Sequence, residues 1–215
     1  MNRNASFWDD RFEHSADLAY GALPNKFLVE TSHHLKPGSK ILSLGEGEGR
    51  NAIYLAQQSH LVHCVDFSRV GLDKAASWAK QLGLSAQIST EVADVASYKI
   101  HEDAWDAVIL FWCHLPTQVQ KDVHRRMVKG LKADGLVILE VYSPKNVGRG
   151  TGGPETAERC TDIDNLREGF AGLAIERLEE SEHMISEGQF HQGLSVSVRL
   201  LARNDHGHST QCPQD

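Results

Sequence analysis

The sequence predicts an α/β fold: a doubly wound, mostly parallel seven-stranded sheet that ends in an antiparallel hairpin. Three observations predict it. As far as Tyr142, apolar runs of strand length alternate with segments of helical period, the order that builds parallel sheets with right-handed crossovers. The first such run, Ile41-Leu42-Ser43-Leu44, leads into Gly45-Glu46-Gly47-Glu48-Gly49 and then a helix start at Arg50, which makes a strand, a tight glycine turn and a helix N-terminus. Beyond Ala174 the pattern changes to two successive strands without a helix between them.

The elements follow in order. Residues 5–14 and 24–34 read as two helices; Phe27, Leu28, Thr31 and Leu35 give the second an apolar face at helical spacing. Lys36-Pro37-Gly38-Ser39 stops it, and strand one starts at Lys40. A helix from about Arg50 to Gln58 precedes strand two, Leu61–Val65. Ser68 caps the next helix, whose apolar positions Leu72, Ala75, Ala76, Ala79 and Leu82 recur at threes and fours until Gly83 stops it. Strand three is placed at Ala86–Val92, and only Val95–Ile100 remains for the next crossover, which is abbreviated or holds a short helix. Trp105–Phe111 is a continuous apolar run, as in a strand buried on both faces. The helix Pro116–Gly130 steps through Val119, Val123, Met127 and Leu131; a turn over Gly130–Gly135 leads to strand five, Leu136–Tyr142. The Gly- and Pro-rich residues 143–160 leave the ligand-binding edge of such a sheet and are read as a lid. A short helix at Thr161–Gly169 precedes strands Ala174–Glu187 and Gly193–Arg203. Residues 1–203 are expected to form one domain with 1–35 as a helical cap over the pocket, and the polar residues 204–215 a disordered tail.

Composition narrows the function. A net charge of −7 speaks against nucleic acid and anionic membranes as partners. No apolar run approaches the ~18 residues of a membrane span, and the first residues carry no signal-peptide core, so a cytoplasmic location is expected. Four scattered cysteines indicate neither a disulfide frame nor a zinc site, and the twelve histidines form no metal-binding pattern.

The glycine loop carries Glu46 and Glu48, which would repel a pyrophosphate. It suits a phosphate-free, cationic ligand, and S-adenosylmethionine (SAM) fits as the cofactor. Asp66, about 20 positions after the glycines at the end of strand two, is placed to accept ribose hydroxyls. Asp94 follows strand three, where a carboxylate can take the adenine amino group.

With these residues in place, the chain resembles the class I SAM-dependent methyltransferases, and within them the tellurite-resistance and thiopurine-methyltransferase-like proteins. The resemblance is carried by Phe7-Trp8-Asp9-Asp10-Arg11-Phe12, by Tyr20-Gly21-Ala22-Leu23-Pro24-Asn25-Lys26-Phe27-Leu28, by the Leu44–Ala52 loop, and by Glu187-Gly188-Gln189-Phe190-His191-Gln192-Gly193. It implies methyl transfer from SAM to a small-molecule acceptor, a thiol, chalcogen oxyanion or other metabolite, by a monomer or homodimer. One position departs: Ser43 stands where such proteins commonly carry an acid two residues before the first loop glycine.

Cofactor contacts are then assigned by position. Gly45, Glu46 and Gly47 line the methionine moiety, Asp66 binds the ribose, Phe67 stacks beside the adenine, Asp94 and Val95 meet its edge, and Phe111 lies under the methionine. The resemblance offers Trp8 or Arg11 to the SAM carboxylate. Acceptor-side residues are sought in Trp112, Cys113, His114, Leu115 and Pro116, with His114 as base or orienting donor; Tyr20, Arg149 and His191 are further candidates. Two other readings stand beside this one. A non-catalytic SAM-binding sensor or scaffold would share the pocket. A nicotinamide-dependent oxidoreductase is opposed by the acidic loop and the antiparallel end.

Overall fold

The computed structural model describes residues 4–15 and 17–205. Seven strands form one sheet: β1 (Lys40–Leu44), β2 (Leu61–Asp66), β3 (Ile88–Val92), β4 (Trp105–Phe111), β5 (Leu131–Tyr142), β6 (Ala174–Glu187) and β7 (His191–Arg203). Their spatial order is β3-β2-β1-β4-β5-β7-β6; β1 to β5 run parallel, and β7 is antiparallel to both β5 and β6. The chain winds outward from β1 to β3 and returns to place β4 on the other side of β1. That reversal opens a crevice at the carboxyl ends of β1 and β4, where sheets of this kind bind ligands.

Strand alternation divides the core in two. Leu42, Leu44, Val108, Leu110, Val137 and Leu139 point to one face and pack with Val123 and Met127 of α5 (Thr117–Gly130) and Leu166 of α6 (Ile163–Gly169). Ile41, Ala107, Ile109 and Ile138 point to the other. There they meet Phe27 and Leu28 of α2 (Lys26–Thr31), Leu55 of α3 (Arg50–Gln57) and Leu72 of α4 (Arg69–Gln81). Each buried Leu, Ile or Phe contributes about 1.5–3 kcal/mol. The remaining helix, α1 (Ala5–Glu13), is pinned over the N-terminus of α4, because Asp9 accepts from Ser68 Oγ (2.6 Å) and Val70 N (3.2 Å).

Several boundaries differ from those read in the sequence. The second helix ends at Thr31 and tightens into a 3-10 turn over Ser32–His34, with Thr31 Oγ1 turned back onto the Phe27 carbonyl. No helix forms between β3 and β4; Asp94 opens a turn there instead, accepting from Ala96 N. The turn expected over Gly130–Gly135 is an irregular stretch inside β5. Leu131 pairs with Trp105, the register then slips so that Leu136 pairs with Ala107, and Asp134 absorbs the bend at φ +62°. β7 starts at His191, two residues earlier than expected. The expected tail lies outside the described residues beyond Asp205.

Residues 143–160 are tied down rather than loose. Val196 N donates to Asn146 Oδ1 (2.9 Å), Gln192 N to the Thr151 carbonyl (3.2 Å) and Ser195 Oγ to Thr151 Oγ1 (2.7 Å). The segment lies across the end of β7, because its polar residues satisfy strand groups there.

Candidate active site

The three loop glycines all have left-handed φ, and for two the neighbours explain why. At Gly45 (φ +70°) a Cβ would lie 2.6 Å from Cys113 Cβ, so the ends of β1 and β4 approach only because Gly45 has no side chain. At Gly49 (φ +93°) a Cβ would lie 2.7 Å from Ala75 Cβ, so the turn into α3 packs directly on α4. The loop thus brings the N-terminus of α3 to the crevice.

Both loop carboxylates are buried and held by hydrogen bonds. Glu46 Oε1 accepts from Asn51 N (3.1 Å) and Ala52 N (2.9 Å), and Oε2 accepts from Ser43 Oγ. It caps α3, and burial raises its pKa against these hydrogen bonds. Ser43, at the position where an acid was expected, is the partner of that cap. Glu48 is neutralised by Lys74 Nζ (3.0 Å) and accepts from Ala19 N (2.7 Å). Each carboxylate is met by a partner distant in the chain or by a helix end, which weakens its repulsion of a phosphate.

Asp66 is different. It is buried and accepts from backbone N–H groups, Gly47 to Oδ2 (2.9 Å) and Ser68 to Oδ1 (2.8 Å), with the Phe67 N–H contributing as well. Burial outweighs these hydrogen bonds and pushes its pKa up to about 6. Each oxygen has capacity for a further donor, which two vicinal hydroxyls would supply.

A cavity of about 400 Å³ opens beside Asp66, within the size range of ligand pockets. Gly45, Glu46, Gly47, Asp66, Phe67, Asp94, Val95, Phe111, Trp8 and His114 all line it. Arg11 does not. It lines an adjoining cavity of about 550 Å³, where it donates to Tyr20 Oη (2.9 Å) and lies 4.1 Å above the Phe190 ring. Of the other acceptor-side candidates, Trp112, Cys113, Leu115, Pro116, Tyr20 and His191 line the first cavity; Arg149 lines neither and pairs with Glu182.

His114 Nε2 accepts the backbone N–H of Tyr142 (3.1 Å). With that lone pair engaged, Nε2 is not available as a base. Cys113 is no nucleophile in this setting, since burial pushes its thiol up to about 12.

A buried polar network behind the cavity was missed from the sequence. Glu187 accepts from Arg50 Nη2 (2.6 Å), Trp112 Nε1 (2.6 Å) and Asn25 Nδ2 (3.2 Å). Asn25 Nδ2 also donates to Glu140 Oε2 (2.7 Å), and Arg199 Nε donates to Glu140 Oε1 (2.8 Å). Burial opposes the charge on Glu187, but His191 and Arg50 outweigh it and hold the carboxyl at about 2. The one available signal was Glu140 itself, a charge inside the run Leu136–Tyr142.

Residues 41–135 match a family model described as a methyltransferase domain. Phosphoethanolamine N-methyltransferase 1 of Arabidopsis thaliana is 29% identical over 119 residues, 52% of this chain and 23% of that protein; the chain thus spans about a quarter of the curated relatives it matches. Among solved structures, one reported for the conversion of a disulfide bond into a thioacetal group during echinomycin biosynthesis superposes with a TM-score of 0.75 at 19% identity, covering 96% of this chain and 93% of that one. TehB from Haemophilus influenzae superposes with a TM-score of 0.71 at 16% identity, covering 93% and 66%, and is one among many such matches. The fold is therefore shared with these structures, and the region that matches the family model, β1 into β5, contains the glycine loop, Asp66 and Asp94.

Proposed function

We propose that this chain is a SAM-dependent methyltransferase acting on a small-molecule acceptor. The observation that carries the proposal is Asp66: a buried carboxylate with no cationic partner among the described residues, facing a cavity at the sheet's reversal point, beside a glycine turn. The residues present fit SAM. Asp66 would take the ribose hydroxyls, Phe67 and Val95 would flank the adenine, and Asp94, whose Oδ2 takes no hydrogen bond from described residues, would meet its amino group. Gly45, Gly47 and Phe111 would border the methionine part, with Trp8 above it and Arg11 at the far rim. When bound, SAM supplies an activated methyl group. The chain's own part is to align the acceptor and exclude water.

The acceptor space lies where the two cavities share Trp8, Tyr20, Trp112, His114, Pro154 and His191. It is walled mostly by rings, which favours a small thiol, chalcogen oxyanion or similar metabolite over a macromolecule. Calorimetric titration tests the cofactor: S-adenosylhomocysteine is expected to bind and NAD not to. Binding of NAD alone would overturn the proposal. Methyl-labelled SAM offered with thiol, selenite, tellurite and amine acceptors then identifies the acceptor.

A further inference from the structure

Trp112 is the first residue after β4, and its backbone is left-handed (φ +54°), a conformation costly for a bulky side chain. The turn breaks the alternation of the strand. Phe111 and Trp112 pack against the same half of the core, and Cys113 returns to the other. The residue is clamped in place. Its backbone N–H donates to the Glu140 carbonyl (2.9 Å) and its Nε1 to Glu187 Oε2 (2.6 Å). Its ring packs against Tyr142 (4.5 Å between centroids) and His191 (5.2 Å). Against burial, His191 and Arg50 hold the Glu187 carboxyl at about 2, so the indole donates to a charged acceptor. Strain of this kind persists only where the surroundings over-determine it, and it collects at ligand clamps.

We infer that Trp112 is a specificity-determining residue: its clamped indole is the rigid wall beside the group carried on the cofactor's sulfur, and it limits that group to the size of a methyl. The inference rests on the methyltransferase reading and deepens it. In that reading the methionine part borders Gly45, Gly47 and Phe111, so the group on its sulfur points to the space that the two cavities share. Phe111 and Cys113 line the cofactor cavity alone, whereas Trp112 between them lines both. Trp8, Tyr20, His114, Pro154 and His191 also line both, but none of them has a left-handed backbone. A wall held at its backbone, its ring faces and its indole nitrogen has no easy rotamer to yield to, and added methylenes in such a site are paid in strain. Removing the indole joins the cofactor cavity to its neighbour at this point.

The test is calorimetric titration of the full chain with SAM and with its sulfonium analogue carrying n-propyl in place of methyl. The wild type is expected to bind the analogue about tenfold or more weakly than SAM, the cost of overpacking a rigid site. In Trp112→Gly, a residue suited to the left-handed φ, the two affinities are expected to lie within about threefold of each other. A merely structural role would weaken both ligands together and leave their ratio at the wild-type value. Trp112→Phe keeps a smaller ring without the Nε1 donor, and its ratio is expected to fall between the two; it decides the matter if the glycine variant does not fold. In parallel, the indole N–H signal of Trp112 in NMR spectra, identified by its absence from Trp112→Phe, is expected to move in Glu187→Gln as its charged acceptor is lost. Equal affinities in the wild type, a wild-type ratio in Trp112→Phe, or an unmoved indole signal in Glu187→Gln would overturn the inference. S-adenosylhomocysteine titrated into the wild type separates the two proposals: its failure to bind would sink the methyltransferase reading, whereas its binding together with any of those outcomes would sink the wall alone.

Discussion

Asp66 shows how one side chain couples burial to binding. Its pKa of about 6 means that the ionised form, the better acceptor for ribose hydroxyls, is lost as pH falls through that value. The affinity for S-adenosylhomocysteine is therefore expected to fall below about pH 6. Asp66→Asn should weaken it at least tenfold at neutral pH, as hydrogen bonds to charged groups are worth about 1.5–3 kcal/mol, and flatten the pH dependence. Calorimetry at several pH values checks both. Glu46 makes the opposite case. Since its carboxylate caps α3, Glu46→Gln should leave that affinity nearly unchanged, while Glu46→Ala should cost about 1–2 kcal/mol of stability in urea unfolding.

The glycine turn and α3 act as one element. Gly45→Ala would combine a left-handed φ with a Cβ driven into Cys113. A loss of about 2–4 kcal/mol in urea unfolding is expected from backbone strain and overpacking together, with loss of cofactor binding because the ends of β1 and β4 must separate. The turn was legible because Gly45, Gly47 and Gly49 follow an apolar strand and precede a helix. The fate of Glu48 was not, because Lys74 on α4 and Ala19 in the loop before α2 are distant from it in the chain.

Across the whole molecule, the Asn25–Glu140–Arg199 and Asn25–Glu187–Arg50 contacts join α2, β5, α3 and the closing hairpin. Glu140→Ala leaves Arg199 buried without its nearer carboxylate and is expected to cost about 3–5 kcal/mol, read by denaturant unfolding. Stability against pH has two opposed parts. Glu187, held at about 2, contributes stability above its ordinary value of 4.5 that is lost as pH falls towards about 2. Asp66 contributes stability below its ordinary value of 3.8 that is lost as pH rises through about 6. Thermal melts of the cofactor-free protein should show both declines, with Glu187→Gln flattening the acid side and Asp66→Asn the alkaline side.

Local pattern was enough for the strand sequence, the reversal to an antiparallel hairpin, the glycine turn and the acids after β2 and β3. Those features follow from periodicity and from what a backbone allows at each position, and both are written in neighbouring residues. The division of labour among the charged groups came only with folding. Glu46 became a helix cap, Arg11 moved to the second cavity, His114 gave its lone pair to Tyr142, and His191 was left beside Glu187 with an unmet nitrogen. A charge takes its role from burial and from partners brought close in space, and residues as far apart in the chain as Asn25 and Glu187 meet only when the sheet closes.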